Sequence, residues 1–158
     1  MTQTVIRRYV FMEYNLLSWE TIKKLEKISS KIFVFVPTQV ENIPFDVIQA
    51  TQKMGKRLKW LCADISESDF LSSHVAFILG KWHERSPVDI EFAIVSDTDV
   101  YDNFVVLLNN LGRKCLRIHI QNTELKDGGK DWEGENEDTD TTDSTLQMHP
   151  TAIKSSVI

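Results

Sequence analysis

The chain has 158 residues, 42% apolar and 26% charged, enough for one ordinary domain with a core of its own. No apolar run approaches the ~20 residues of a membrane-spanning helix, and "MTQTVIRRYVF" has no apolar stretch leading to a small-residue cleavage site, so no span and no secretory signal are expected. The net charge of −5 is unevenly spread: residues 121–158 hold nine acids against three lysines, while residues 1–120 hold 14 acids and 15 bases.

In chain order, extended runs alternate with amphipathic ones. "VIRRYVFM" reads as a first strand. "SWETIKKLEKIS" follows as a helix, with Trp19, Ile22 and Leu25 on one face and Ser18 as N-cap. "KIFVFVP" is a strand apolar on both faces, stopped at Pro37. "NIPFDVIQATQKMG" is a second helix that Asn42 is expected to cap, with Pro44 in its first turn and Gly55 past its end. "RLKWLCADI" is a third strand. "SESDFLSSHVAFILGKW" is a third helix opened by Ser66 and Asp69 in capping-box spacing. "DIEFAIVS" is a fourth strand. "DVYDNFVVLLNNLG" is a fourth helix, with Val100, Phe104, Leu107, Leu108 and Leu111 as its apolar stripe and Gly112 beyond it. "KCLRIHI" is a fifth strand.

Strands apolar on both faces and separated by helices imply a mostly parallel sheet covered on both sides. The expected fold is a three-layer α/β/α sandwich of five strands, in the order 3-2-1-4-5, over residues 1–120. Residues 121–158 are acidic, rich in Gly, Ser and Thr, and without periodicity. They cannot bury enough surface to offset their ordering entropy and are expected to be disordered in isolation. Cys62 and Cys115 lie in apolar runs without metal-ligand spacing and read as buried free thiols of an intracellular, cytoplasmic protein.

In an open parallel sheet, ligands bind beyond the carboxyl ends of the strands, where the strand order reverses. Here that point lies between strands one and four, which end in "MEYN" and "SDTD". Glu13, Asn15, Asp97, Asp99 and Asp102 are therefore expected around one crevice. Convergent carboxylates suit Mg²⁺ or Mn²⁺, which prefer hard oxygen ligands and can activate a water toward a phosphodiester. The plainer alternative is structural: Thr98 or Asp99 caps the fourth helix and Asp102 meets its dipole. Lys53, Lys56, Arg57 and Lys59 form a basic cluster that could bind nucleic acid, and Lys23, Lys24 and Lys27 form another. Either could equally be a solvated face. No Gly-rich phosphate loop, zinc signature or Ser-His-Asp arrangement is present.

Several segments in sequence resemble the PIN-like/NYN nuclease superfamily and a bacterial PIN-like subgroup within it: "VFMEYNLL", "FVPTQVENIPFDVIQATQ", "SSHVAFILG" and "IVSDTDVYDNFVVLLNNLG". The resemblance covers roughly residues 5–120. It implies a metal-dependent ribonuclease with catalytic Asp97, Asp99, Glu13 and Asn15, and with Asp97, Asp99, Asp102, Glu13 and Asp69 as ligands of Mg or Mn. Two positions depart from the family pattern: Met12 and Ser72 stand where carboxylates are usual. The alternative expectation is a catalytically degenerate scaffold that binds RNA or a protein partner, a second copy of the chain included.

Overall fold

The computed structural model describes residues 7–63, 68–120 and 147–149, with backbone alone for 68–70 and 147–149. Among these residues the elements run β1 (Arg8–Glu13), α1 (Trp19–Ile28), β2 (Lys31–Pro37), α2 (Phe45–Met54), β3 (Leu58–Ala63), α3 (Ser68–Arg85), β4 (Glu91–Val95), α4 (Asp102–Asn110), β5 (Cys115–His119) and β6 (Gln147–His149). Short 3-10 turns occupy Tyr14–Leu16, Gly55–Arg57 and Asp99–Tyr101.

The sheet order is β3-β2-β1-β4-β5-β6. Its first five strands are parallel and follow the expected order. The five-strand count needs one correction. β6 comes from the acidic tail, where no regular structure was expected, and pairs antiparallel with β5, Gln147 opposite His119 and His149 opposite Arg117. A bare β5 edge would present unpaired backbone donors and acceptors, which a three-residue segment suffices to satisfy. So short a segment carries no legible period. The remaining tail residues lie outside the described ones, as does the expected cap Ser66.

Alternate strand residues build two cores. Val10, Met12, Ile32, Val34, Ala93 and Val95 point to one face and pack with Ile22 and Leu25 of α1 and Val47 of α2. Phe11, Phe33, Phe35, Phe92 and Ile94 point to the other, under Val75 and Leu79 of α3 and Val105 and Leu108 of α4. One face is thus aliphatic and the other aromatic. Phe33, wholly buried, contributes on the order of 2–3 kcal/mol by leaving water. Such two-sided burial is why these strands read as continuous apolar runs.

Helix ends follow local chemistry. Ser18 caps α1 by accepting a bond from the Thr21 amide at 3.1 Å. Asn42 does not cap α2; its carbonyl accepts the Tyr14 hydroxyl, and Pro44 takes the cap position. Asp46 in the first turn supplies the missing acceptor, to the Val47 amide at 2.9 Å. Gly55 ends α2 at a φ of 53°, which side chains with a Cβ disfavour. The stripe expected on α4 is out of phase. Val105 and Leu108 are buried and Phe104 partly so, but Val100, Leu107 and Leu111 are exposed. Tyr101 takes the buried place instead, in the 3-10 turn that replaces the helix's expected first turn. Cys115 is buried as expected, whereas Cys62 lies exposed on the edge strand β3.

At the amino end of the sheet, Arg113 is 1% exposed and has no ion-pair partner among the described residues. Its guanidinium donates to the carbonyls of His83, Ser86, Pro87 and Ile90 and to His83 Nδ1, all at 2.7–2.9 Å. It also lies 4.4 Å above the Phe92 ring. The planar fork therefore staples the exit of α3 and the loop after it to the entry of β5. Among the described residues, no helix is long and apolar enough to cross a membrane.

Candidate functional site

The strand order reverses between β1 and β4, which pair in parallel with Met12 opposite Val95. Glu13 and Ser96 come next along their chains, so both strands turn polar at the same level of the sheet. Buried Ser96 accepts a bond from the Thr98 amide at 3.2 Å, turning the chain outward. Asp97, Thr98 and Asp99 then stand exposed. Neither Thr98 nor Asp99 makes a side-chain cap to the 3-10 turn, so the capping alternative does not account for them.

The carboxylates are dispersed into separate contacts. Asp97 Oδ1 lies 3.6 Å from His119 Nδ1. Asp102 Oδ1 lies 2.8 Å from Arg117 Nε, an ionic contact rather than an aligned hydrogen bond, and its Oδ2 accepts from Nη2 at 3.4 Å. Arg117 also donates to the Thr98 carbonyl at 2.9 Å, tying the loop to β5. Glu13 accepts the Tyr101 hydroxyl. Burial, then the bond to Glu13 and the charge of Glu13, push the Tyr101 phenol far above its ordinary range, so its proton stays on this bond. An open cleft of about 560 Å³ is lined by Asp97, Thr98, Asp99, Arg117 and His119.

Met12 is buried in the aliphatic core, 1% exposed, while Glu13 points to the opposite face of the sheet and so does not take over the Met12 position. Asn15 is exposed in the turn after β1. Asp69 lies in the first turn of α3, and its side chain is outside the described residues. Lys53, Lys56, Arg57 and Lys59 stand at the other end of the sheet, where α2 ends and β3 begins. Arg57 donates to the Glu26 and Ser29 carbonyls at 2.9 and 2.7 Å, holding the end of α1. In the other basic cluster, Lys23 lies 3.7 Å above the Trp19 ring.

Three site residues escape a reading of motifs: Tyr101, Arg117 and His119. The polar side chains of "KCLRIHI" alternate with apolar ones, which could have marked Arg117 and His119 as facing the strand-four loop.

A parallel α/β sheet with acids at its switch point belongs to the Rossmann-like class that includes phosphodiester-cleaving and RNA-binding domains. The family model described as PIN domain matches residues 7–118, and the chain belongs to that family. No curated protein matches the chain. PIN domains generally use divalent metal ions. Among the described residues, however, no three His, Cys, Asp or Glu side chains come close enough to hold one. With Asp102 held by Arg117 and Glu13 by Tyr101, these residues do not fit a preassembled Mg²⁺ or Mn²⁺ centre.

Proposed function

We propose that this PIN domain is an RNA-binding scaffold whose strand-end acids serve structure rather than a metal centre. The observation that carries this reading is the separate protein partner of Glu13, Asp97 and Asp102. Each contact crosses between elements: β1 to the turn before α4, β5 to the loop after β4, and β5 to the start of α4. The acids thereby hold the cleft walls together, and Asp102, already paired to the Arg117 cation, offers less to a second one. Membership of the family supports RNA as the ligand. The domain is built on residues 1–120, with Gln147–His149 of the acidic segment added to the edge of its sheet.

The test is a melting curve with and without millimolar Mn²⁺, beside an RNA-cleavage assay of the chain and of Asp97→Asn. The expected result is an unmoved midpoint and no cleavage that depends on Asp97. A rise of several degrees with Mn²⁺, together with cleavage abolished by Asp97→Asn, overturns the scaffold reading.

One observation favours a metal-dependent ribonuclease instead: Asp97 and Asp99 stand exposed where the end of β4 meets the end of β1. In that reading Asp97, Asp99, Glu13 and Asp69 hold Mg²⁺ or Mn²⁺, and Asn15 orients a phosphate. The cleavage outcome just described decides between the two.

A further inference from the structure

We propose a second nucleic-acid surface at the opposite end of the sheet: a stacking platform for single-stranded RNA built from Trp82, Tyr9, Lys31 and Lys59. It rests on the reading that the chain binds RNA but places binding away from the strand-end cleft.

The platform follows from register. Tyr9 pairs with Lys31 across β1 and β2, and Phe33 pairs with Lys59 across β2 and β3. All four share the face that carries Phe11 and Phe35, because side chains two residues apart on a strand point the same way. Trp82, from the last turns of α3, lies over them. Its ring is 4.6 Å from Phe33 and meets Tyr9 edge-on at 5.9 Å. The Lys59 ammonium lies 5.4 Å from the Trp82 ring, and the Lys31 ammonium 5.8 Å from Trp82 and 5.2 Å from Tyr9. Trp82, Tyr9 and Lys31 are half-buried, and Lys59 is exposed. The Trp82 ring is thus fixed by aromatic packing, half-buried, and attended by two ammonium groups at 5.4 and 5.8 Å.

The charge around it is unspent. Among the described residues, no carboxylate lies within ion-pair distance of Lys31, Lys53, Lys56 or Lys59. Lys53 and Lys56 precede β3 in the chain, at the same end of the sheet, with Lys53 on α2 of the opposite layer. Lysines resting on an aromatic ring are held loosely, by about 0.5–1 kcal/mol at an exposed site. A phosphate offers them more, and a base can then take their place on the ring. This pairing of aromatic rings with backbone-tracking cations is how proteins bind single strands without reading sequence.

The test uses the full chain and a labelled 12-nucleotide oligouridine, with binding followed by anisotropy and by tryptophan fluorescence. Lys31→Glu with Lys59→Glu is expected to weaken binding at least tenfold while lowering the melting midpoint by only a few degrees. Trp82→Phe is expected to weaken it several-fold and to remove the RNA-induced quench. Log affinity is expected to fall with log salt with a slope of roughly −2, as for about three phosphates. If charge reversal leaves affinity unchanged while Arg117→Gln abolishes it, the cleft is the RNA site and this proposal fails alone. If no variant matters because the chain does not bind oligouridine, the RNA reading fails as well. Equal competition by an acidic peptide, with no Trp82 quench, assigns the corner to a protein and overturns the proposal.

Discussion

At the carboxyl end of the sheet, three of the four acids around the cleft touch a partner on another element; at the amino-end corner by β2 and β3, the lysines touch no acid among the described residues. The difference separates charge that holds the fold from charge left over for a ligand. Arg117 and Asp102, each about a quarter exposed, pin the start of α4 to β5. Lys59, over a tryptophan ring, pins nothing. Arg113 shows that the amino end also has a consumed cation, and it differs from the lysines in burial and in its full set of acceptors.

The sharpest way to break this contrast is Arg113→Met. It would leave four carbonyls and His83 Nδ1 without their donor, and a loss of about 3 kcal/mol or more is expected in urea denaturation. A loss under ~1 kcal/mol would mean the consumed cation is no different from the spare ones.

Alkaline titration compares the ends next. Burial, with the charge of Glu91 adding, pushes the Cys115 thiol at the amino end of β5 up to about 12. The unfolded chain loses that proton from about pH 8.5 while the folded chain keeps it. Stability is therefore fully present below that pH and falls as pH rises toward 12, by about 1.4 kcal/mol per pH unit. Tyr101, at the carboxyl end, begins to add the same sign of loss from about pH 10. Stability against pH should steepen there, and Tyr101→Phe should remove the second slope and keep the first.

Arg117→Gln is expected to cost about 1–2 kcal/mol, since it strips Asp102 of its cation in a partly buried place. Lys59→Glu should cost no more than about 0.5–1 kcal/mol in the same assay, the value of its contact with the Trp82 ring and the smallest effect of the set. A large loss from Lys59→Glu would show that the amino-end lysines are structural after all.

Much of the fold is legible in the chain because its strands are buried on both faces. "KIFVFVP" and "EFAIV" have no polar alternation to obscure them, and right-handed crossovers leave few orders. The phase of α4 is not legible: Val100, Phe104, Leu107, Leu108 and Leu111 are all apolar, so the choice of buried side falls to Tyr101, whose hydroxyl reads as polar until Glu13 is seen to accept it. The acidic motif marks its own place, the end of β4, but not its company. Arg117 and His119 stand 15 and 22 residues from the acids they meet, on a neighbouring strand, and no spacing rule links them. Trp82 and Lys31 are farther apart still and meet only through sheet register.

β6 fixes the geometry of a closure. The chain leaves the sheet after His119 and comes back at Gln147, directly opposite. The two anchors lie one strand spacing apart, and in general the entropy of closing a loop grows slowly with length, by about 0.6 kcal/mol per doubling. The sheet edge thus gives the chain a place where length can drift at small entropic cost.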